Sequence, residues 1–298
     1  PKVKTKDSGV EWIGKIPEHW KCIDIKYNFR ILAGSTPKSD NPSYWDGDII
    51  WITPADYKTE DKFISKGSRN ISQEGLNSCS STLVPKGSLI FSKRAPIGAV
   101  AINTESLCTN QGCLSCIPKS KDANSVYHYY VMSIATSYFE MLGSGTTFKE
   151  ISANKFSNAL LPCPPVSEQR AIAEYLDKRC GEIDSAIGAA KELIEEYKEY
   201  KRSLITEAVT KGLDPKVKTK DSGVEWIGKI PEYWVVKKLK YAFDFGKGLP
   251  ITKANLEDSG VAVISYGQIH SKKNTGTRID DCLIRYVNES YLRTNPDS

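Results

Sequence analysis

One twenty-residue segment occurs twice in this chain. Pro1–Trp20 reads PKVKTKDSGVEWIGKIPEHW and Pro215–Trp234 reads PKVKTKDSGVEWIGKIPEYW, so the copies differ only at His19 against Tyr233, at an offset of 214 residues. A weaker echo follows, with Ile25, Lys26, Tyr27 and Phe29 set against Leu239, Lys240, Tyr241 and Phe243, and then fades. The offset is far longer than the ~20–50 residues of stacked solenoid units, which excludes that architecture. Near-identical framing around dissimilar contents predicts one domain presented twice with two different surfaces. That arrangement suits a ligand with two half-sites.

A chain of 298 residues, 40% of them hydrophobic, holds two packed domains and a connector. The longest apolar stretch, Ser88–Ile102, is interrupted by Lys93, Arg94 and Pro96 and falls short of the ~20 residues that span a bilayer, so no membrane segment is expected. The first residues are polar and lysine-rich with no apolar run, which points away from secretion and toward a cytoplasmic location. The eight cysteines follow no framework spacing and are expected to be reduced. Cys113-x-x-Cys116 has no second CxxC and only three histidines, His19, His128 and His270, to draw on. A structural zinc site wants four ligands, and the alternation in QGCLSCIP fits a half-buried strand, so no metal is expected. Net charge is +5, with 19 Lys and Arg against 15 Asp and Glu through Val166, 8 against 10 over Ser167–Gly212, and 14 against 11 beyond. Both flanks are mildly basic, compatible with phosphate contacts but well short of a dedicated nucleic-acid module.

Gly9–Trp20 is rich in Gly, Pro and Trp, and Trp12 and Trp20 are expected to plug the segment onto its domain. From Lys21 to Ile117 strand signals dominate: Ile49–Thr53, Ser88–Ser92 and Ile97–Ile102 are β-branched or aromatic and bounded by Gly, Pro or Asp. The period then changes. Val126, Tyr129, Tyr130, Met132, Ser133, Ile134 and Phe139 suit an amphipathic helix over Ala123–Leu142, ended by Gly143. The fold class is therefore α+β, a mixed α/β domain with a curved or mostly antiparallel sheet. A long helix follows, with Ser167 as N-cap, Glu168 in the first turn, and Gly212 and Pro215 closing the far end. Ile183, Ile187, Ala190, Ile194, Tyr197, Lys201, Leu204 and Ala208 are spaced alternately by four and three, the seam of a coiled coil. At 1.5 Å per residue the helix spans roughly 66 Å. Its seam needs a partner, since lone bridging helices are polar all round; Lys201 and Gly188 make it weaker than an ideal zipper.

LLPCPPVSEQRAIAEYLD at Leu160–Asp177 resembles the start of the conserved helix in specificity subunits of type I restriction-modification systems. Other stretches agree in order: Ser35–Tyr57 with the early recognition-domain motif, Ile71–Ile102 with the central strand region, TNQGC at Thr109–Cys113 with the turn after it, and GSGTTFKEIS at Gly143–Ser152 with the loop before the helix. The resemblance implies a target recognition domain at 1–166, a conserved spacer helix at 167–212, and at 213–298 the start of a second recognition domain. It implies a protein without catalysis or cofactor, whose domains each read one half of a bipartite site in double-stranded DNA. The helix would set the gap and dock two methyltransferase subunits; restriction/translocase subunits would join them. The second segment is shorter than the first and has no second helix. Without that antiparallel mate the seam is expected to pair with another copy, as self-association, or with a modification subunit.

Lys93 and Arg94, in SKRAPIG between two strand signals, sit on a turn sharpened by Pro96 and Gly98. Such a pair can contact phosphate, and arginine can also engage guanine O6 and N7. Asn110 and Gln111 match the donor and acceptor demands of adenine, or equally hold a turn through backbone bonds. Ser144, Thr146, Thr147 and Lys149 lie in a loop of small residues that lets backbone amides and hydroxyls approach phosphate. Thr53 and Asp56 end a strand whose Trp51 is read as core, and Tyr266, Gln268 and His270 occupy the corresponding place in the second segment. Asn41-Pro42-Ser43-Tyr44 lacks the second proline of an amino-methyltransferase motif, and neither a methyl-donor turn nor a Walker phosphate loop is present. Asp46, Asp48, Glu60 and Asp61 form no recognisable nuclease cluster, and no catalytic residue is assigned. The alternative to a DNA-reading subunit is a coiled-coil assembly protein without sequence-specific binding. Salt and sequence dependence of duplex binding separate the two.

Overall fold

A computed structural model describes residues 4–58, 60–94, 96–145, 149–272, 274 and 281–291. Contacts group the chain into two units, 1–192 and 193–298. In the first unit the duplicated segment makes a hairpin of β1 (Thr5–Asp7) and β2 (Lys15–Pro17). Its turn is locally encoded, because the Asp7 carboxylate accepts from the Gly9 amide at 2.7 Å and Gly9 and Gly14 take left-handed φ values of 74° and 67°. Val10 and Ile16 are buried beneath it.

The chain continues through β3 (Lys21–Asp24), α1 (Ile25–Asn28), β4 (Phe29–Ala33), β5 (Trp45–Ile52), β6 (Phe63–Ile64), β7 (Arg69–Ile71) and α2 (Gln73–Asn77). It then forms β8 (Leu89–Ser92), β9 (Val100–Asn103), β10 (Cys108–Thr109) and β11 (Cys113–Pro118). The main sheet has the order β4-β11-β8-β9-β6, antiparallel except where β6 runs parallel to β9 at the edge. A second sheet, β10-β5-β7, pairs β10 parallel and β7 antiparallel to β5. A bulge between Trp45 and Ile49 bends β5 where Asp46 takes a φ of 59°. Every residue of β8 and β9 is buried because both faces are covered. Leu89, Phe91, Val100 and Ile102 join one core cluster with Phe139 and Phe156, while Ile90 and Ala101 join another with Ile52, Tyr57 and Val84.

The same alternation places Cys113 and Cys116, three apart in β11, in opposite clusters. Burial pushes the Cys113 thiol up to about 12 and Cys116 higher still. Sequence boundaries shift in two strands. β5 starts earlier than Ile49, and β9 starts at Val100 because Gly98, at φ 105° and bonded through its amide to the Ser92 carbonyl at 3.0 Å, belongs to the turn.

The single helix expected over Ala123–Leu142 is two: α3 (Ser125–Ile134), capped by Asn124, and α4 (Thr136–Leu142). The break at Ala135 has a packing cause. Thr136 fills the space above Gly98, where any Cβ would come within 2.8 Å of it, and α4 turns to wedge Phe139 against Phe91 at 4.8 Å between ring centroids. After α5 (Ala153–Ser157), β12 (Leu160–Cys163) pairs antiparallel with β3 and leads into α6 (Val166–Lys211). This helix is continuous for 46 residues. At 1.5 Å per residue it is about 69 Å long. Ser167 is not its N-cap but its second residue: the helix starts at Val166, because the Pro165 carbonyl already accepts from the Glu168 and Gln169 amides at 2.9 and 3.0 Å. Gly212, at φ 79°, ends it as expected. Ile183, Ile187, Ala190, Ile194, Tyr197, Lys201 and Leu204 are all exposed, and Ala208 is half-buried. No helix among the described residues is long and apolar enough to cross a membrane.

In the second unit, β13 (Thr219–Asp221) and β14 (Lys229–Pro231) repeat the first hairpin in identical register. Beyond it stand β15 (Val261–Val263), α7 (Tyr266–Ile269) and β16 (Arg285–Val287), the two strands antiparallel.

Candidate nucleic-acid interface

Three turns of the first unit meet around the end of β8. The buried Ser92 hydroxyl lies 3.0 Å from the Arg94 carbonyl oxygen and 2.7 Å from that of Pro96, folding the chain back so that Lys93 and Arg94 sit on the rim. The Lys93 amide donates to the Gly112 carbonyl at 3.0 Å, and the Lys93 carbonyl accepts from the Ile151 amide at 3.0 Å. One residue therefore ties the 110–112 turn to the 143–151 loop. That loop is pinched at its base by paired backbone bonds between Ser144 and Glu150 at 2.9 and 3.0 Å. Ser144 and Lys149 are exposed, while Lys155 reaches across to the Ser144 hydroxyl at 2.8 Å and the Leu142 carbonyl at 3.1 Å. Thr146 and Thr147 lie outside the described residues.

Asn110 uses its side-chain carbonyl to accept from the Gly112 amide at 2.8 Å, so it shapes its own turn. Gln111 is exposed and its Oε1 accepts from the Thr36 hydroxyl. The turn packs hard against Gly34, where a Cβ would stand 2.1 Å from the Thr109 carbonyl oxygen. Thr53 and Asp56 close a capping box: the Thr53 amide and hydroxyl donate to Asp56 Oδ2 at 2.7 and 2.8 Å, and the Ser68 amide donates to Oδ1 at 2.7 Å. Their side chains hold the strand-end turn in shape. Trp51 is core, its indole donating to the Ser35 carbonyl at 3.1 Å.

Charge at this rim is balanced in a way the sequence does not reveal. Glu150 Oε1 lies 2.7 Å from Lys93 Nζ, and Oε2 lies 3.8 Å from Arg94 Nη1. The Lys93 side chain is only 15% exposed, against 39% for Glu150. Glu150 directly follows Lys149 in the chain and its partners lie more than fifty residues earlier, so no local pattern marks the pair. Among the described residues no group of His, Cys, Asp and Glu is placed to hold a metal ion.

A second constellation fixes the start of α6 to the body of the first unit. Trp20 Nε1 donates to Glu168 Oε2 at 2.8 Å and His19 Nε2 lies 2.7 Å from Oε1; these hydrogen bonds, Trp20's foremost, hold the Glu168 carboxyl below its ordinary range. The buried Gln169 side chain accepts from the Asn124 amide at 3.1 Å and donates to the Pro164 carbonyl at 2.9 Å. Two turns on, Asp177 accepts from the Tyr130 phenol at 2.6 Å and from Lys62. Desolvation opposes the Asp177 charge, but those bonds outweigh it and bring the carboxyl down.

A family model described as the type I restriction modification DNA specificity domain matches residues 17–194. The type I restriction enzyme MjaIX specificity subunit of Methanocaldococcus jannaschii is 40% identical over 167 residues, which are 55% of this chain and 38% of that protein. The MjaVIII specificity subunit of the same organism is 22% identical over 260 residues, 86% of this chain and 56% of that one. This chain thus spans about half, 38% to 56%, of these relatives' lengths. The HsdS subunit of Thermoanaerobacter tengcongensis matches with a TM-score of 0.50 at 20% identity, over 70% of this chain and 48% of that one. A chain from work on complex assembly and conformational transition of the type I R-M system matches with 0.56 at 21% identity, over 70% and 49%. The mixed α/β domain followed by a long helix is the fold these structures share.

Proposed function

This chain belongs to the type I restriction modification DNA specificity family, and on that premise we propose that it is the DNA-reading subunit of a type I restriction-modification complex. Residues 1–166 read one half of a bipartite site in double-stranded DNA, and 213–298 begin the module that reads the other half. The helix over 167–212 sets the distance between them and docks two methyltransferase subunits, joined by restriction/translocase subunits when DNA is cut. The chain performs no chemistry of its own and works in the cytoplasm.

The observation that carries this reading is the convergence of the 93–94, 110–112 and 143–150 turns on one rim, locked by the Lys93 backbone. On this reading Arg94, Gln111, Ser144 and Lys149 meet DNA from that rim, with Lys93 behind them, and Thr146 and Thr147, which come between Ser144 and Lys149 in sequence, join them. Lys93, Lys149 and the Ser144 hydroxyl are suited to phosphate, whereas Arg94 and Gln111 have the forks that read base edges. Thr53, Asp56 and Asn110 contribute by holding the turns that present those groups. The exposed seam of α6 supports docking of helical partners, since apolar residues at 3.5-residue spacing gain only when covered. An assembly protein without DNA reading would use the seam but has no need of the converging turns.

The test is a domain exchange in cells. Replacing residues 1–166 with the corresponding segment of a relative should change one half of the genomic adenine-methylation motif and leave the other half and the gap intact. A motif that changes in both halves, or not at all, would remove the reading.

A further inference from the structure

Glu150 is paired with both basic side chains at the end of β8. Its two carboxylate oxygens address Lys93 Nζ at 2.7 Å and Arg94 Nη1 at 3.8 Å, so a single anion already occupies the basic pair that the function proposed above assigns to DNA. Both side chains are anchored by backbone that does not depend on them. Lys93 is held through Gly112 and Ile151, and Glu150 through its paired bonds to Ser144. The ion pair can therefore open without the loop coming apart. Arg94 is looser than Lys93, at 38% against 15% side-chain exposure, so the pair opens from the arginine side.

From this geometry we infer that Glu150 sets the strength of DNA binding, as a displaceable internal anion that competes with phosphate for Lys93 and Arg94. Non-specific binding rests almost wholly on phosphate neutralisation, so the cost of displacing the carboxylate removes a large share of it and shortens the time spent on unmatched duplex. A cognate site bears the same cost but adds base contacts that do not involve Glu150, so it stays bound. The competitor also alters ionic behaviour. A lysine that exchanges a protein carboxylate for a phosphate leaves that carboxylate to recruit a cation, so part of the counterion release is cancelled.

The experiment uses the full chain assembled with its modification subunits, and two fluorescent duplexes of equal length: one of random sequence, one carrying the methylation motif from the domain exchange. Glu150→Gln keeps the shape and the Ser144 backbone pair while removing the charge; because Lys93 then loses its counter-charge the melting temperature should fall, and the titrations are run where melting shows the variant fully folded. Its affinity for the random duplex should rise roughly fivefold. Its salt dependence should steepen by about 0.9 in log–log slope for each phosphate contact released. Cognate affinity should rise by a similar factor, so the ratio of the two stays constant while both complexes last longer. Lys93→Ala/Arg94→Ala should weaken both duplexes and cancel the gain of Glu150→Gln when combined with it. Unchanged random-duplex affinity and slope in Glu150→Gln, while Lys93→Ala/Arg94→Ala still weakens binding, would sink the competitor role alone. No effect of Lys93→Ala/Arg94→Ala in either background would sink the DNA contact and the competitor with it. A lowered cognate affinity with an altered motif in Glu150→Gln would overturn the inference in favour of direct reading by the carboxylate, for example of cytosine N4.

Discussion

Ile25 and Phe29 of the first unit are sealed in a core with Phe91, Phe139 and Phe156, whereas their counterparts Leu239 and Phe243 in the second unit stand 65% and 63% exposed. Trp12 packs on Tyr138 with centroids 5.6 Å apart, while Trp226 is 75% exposed. Strand β5 is flanked on both edges; β15, among the described residues, has a partner on one. Gly34 is pressed against Thr109 and Asn110, yet nothing lies within 4 Å of where a Cβ on Gly248 would be. The local frame is nonetheless the same. Both hairpins keep their register and an Asp-to-Gly turn bond of 2.7 Å. The Thr53–Asp56 box reappears as Ser265–Gln268, with the Ser265 amide donating to Gln268 Oε1 at 2.5 Å. Short-range sequence thus builds turns and caps in either unit, while burial in the first depends on partners that arrive between residues 84 and 163.

The sharpest test of that division is a matched pair of truncations. Phe29→Ala removes a fully buried ring and should cost about 3–5 kcal/mol in urea unfolding, while Phe243→Ala should change stability by less than ~0.5 kcal/mol. Equal effects would show that the second unit has a core of its own. Acid should also separate the units. His128 is buried in the first, its Nδ1 2.8 Å from the Asn124 carbonyl and its Nε2 facing the Asn28 amide, and desolvation drives its pKa down from 6.5 to about 4. The folded state resists protonation that the unfolded state accepts, so stability is intact above pH 6.5 and is lost toward pH 4 by up to ~1.4 kcal/mol per pH unit. A His128→Gln chain, melted at several pH values, should lose that slope.

A smaller contrast lies in the glycines. Gly34→Ala should cost ~1–3 kcal/mol by forcing the Thr109 backbone away, and Gly248→Ala should be near neutral, as read by thermal melting. At the rim, Arg94→Ala should lower duplex affinity by ~1–3 kcal/mol in a binding titration while leaving the melting temperature unchanged. Unaltered affinity would exclude Arg94 as a contact.

What could be read beforehand follows the same line between local and distant causes. The apolar runs at β5, β8 and β9 announce strands because β-branched residues at that density have few other uses. The turn holding Lys93 and Arg94 is legible from Pro96 and Gly98. The Thr53–Asp56 cap was available in the sequence as Thr, Pro, Ala, Asp, with Pro at the first helical position, although the pair reads more readily as strand-end display. The break at Ala135 was not legible, since it depends on Gly98 accepting Thr136 from another element. Nor were Gln169 and Glu150, whose partners are distant in the chain and chosen by the packed core rather than by neighbours.

The opposed faces of β11 have a consequence for redox chemistry. Cys113 and Cys116 share the spacing that in oxidoreductases marks a pair poised to cycle, but here an entire sheet separates the two sulfurs, and neither ionises readily. To join them, an oxidant would first have to peel β11 away from β4 and β8. Oxidative bursts that titrate surface thiols should therefore pass over this strand.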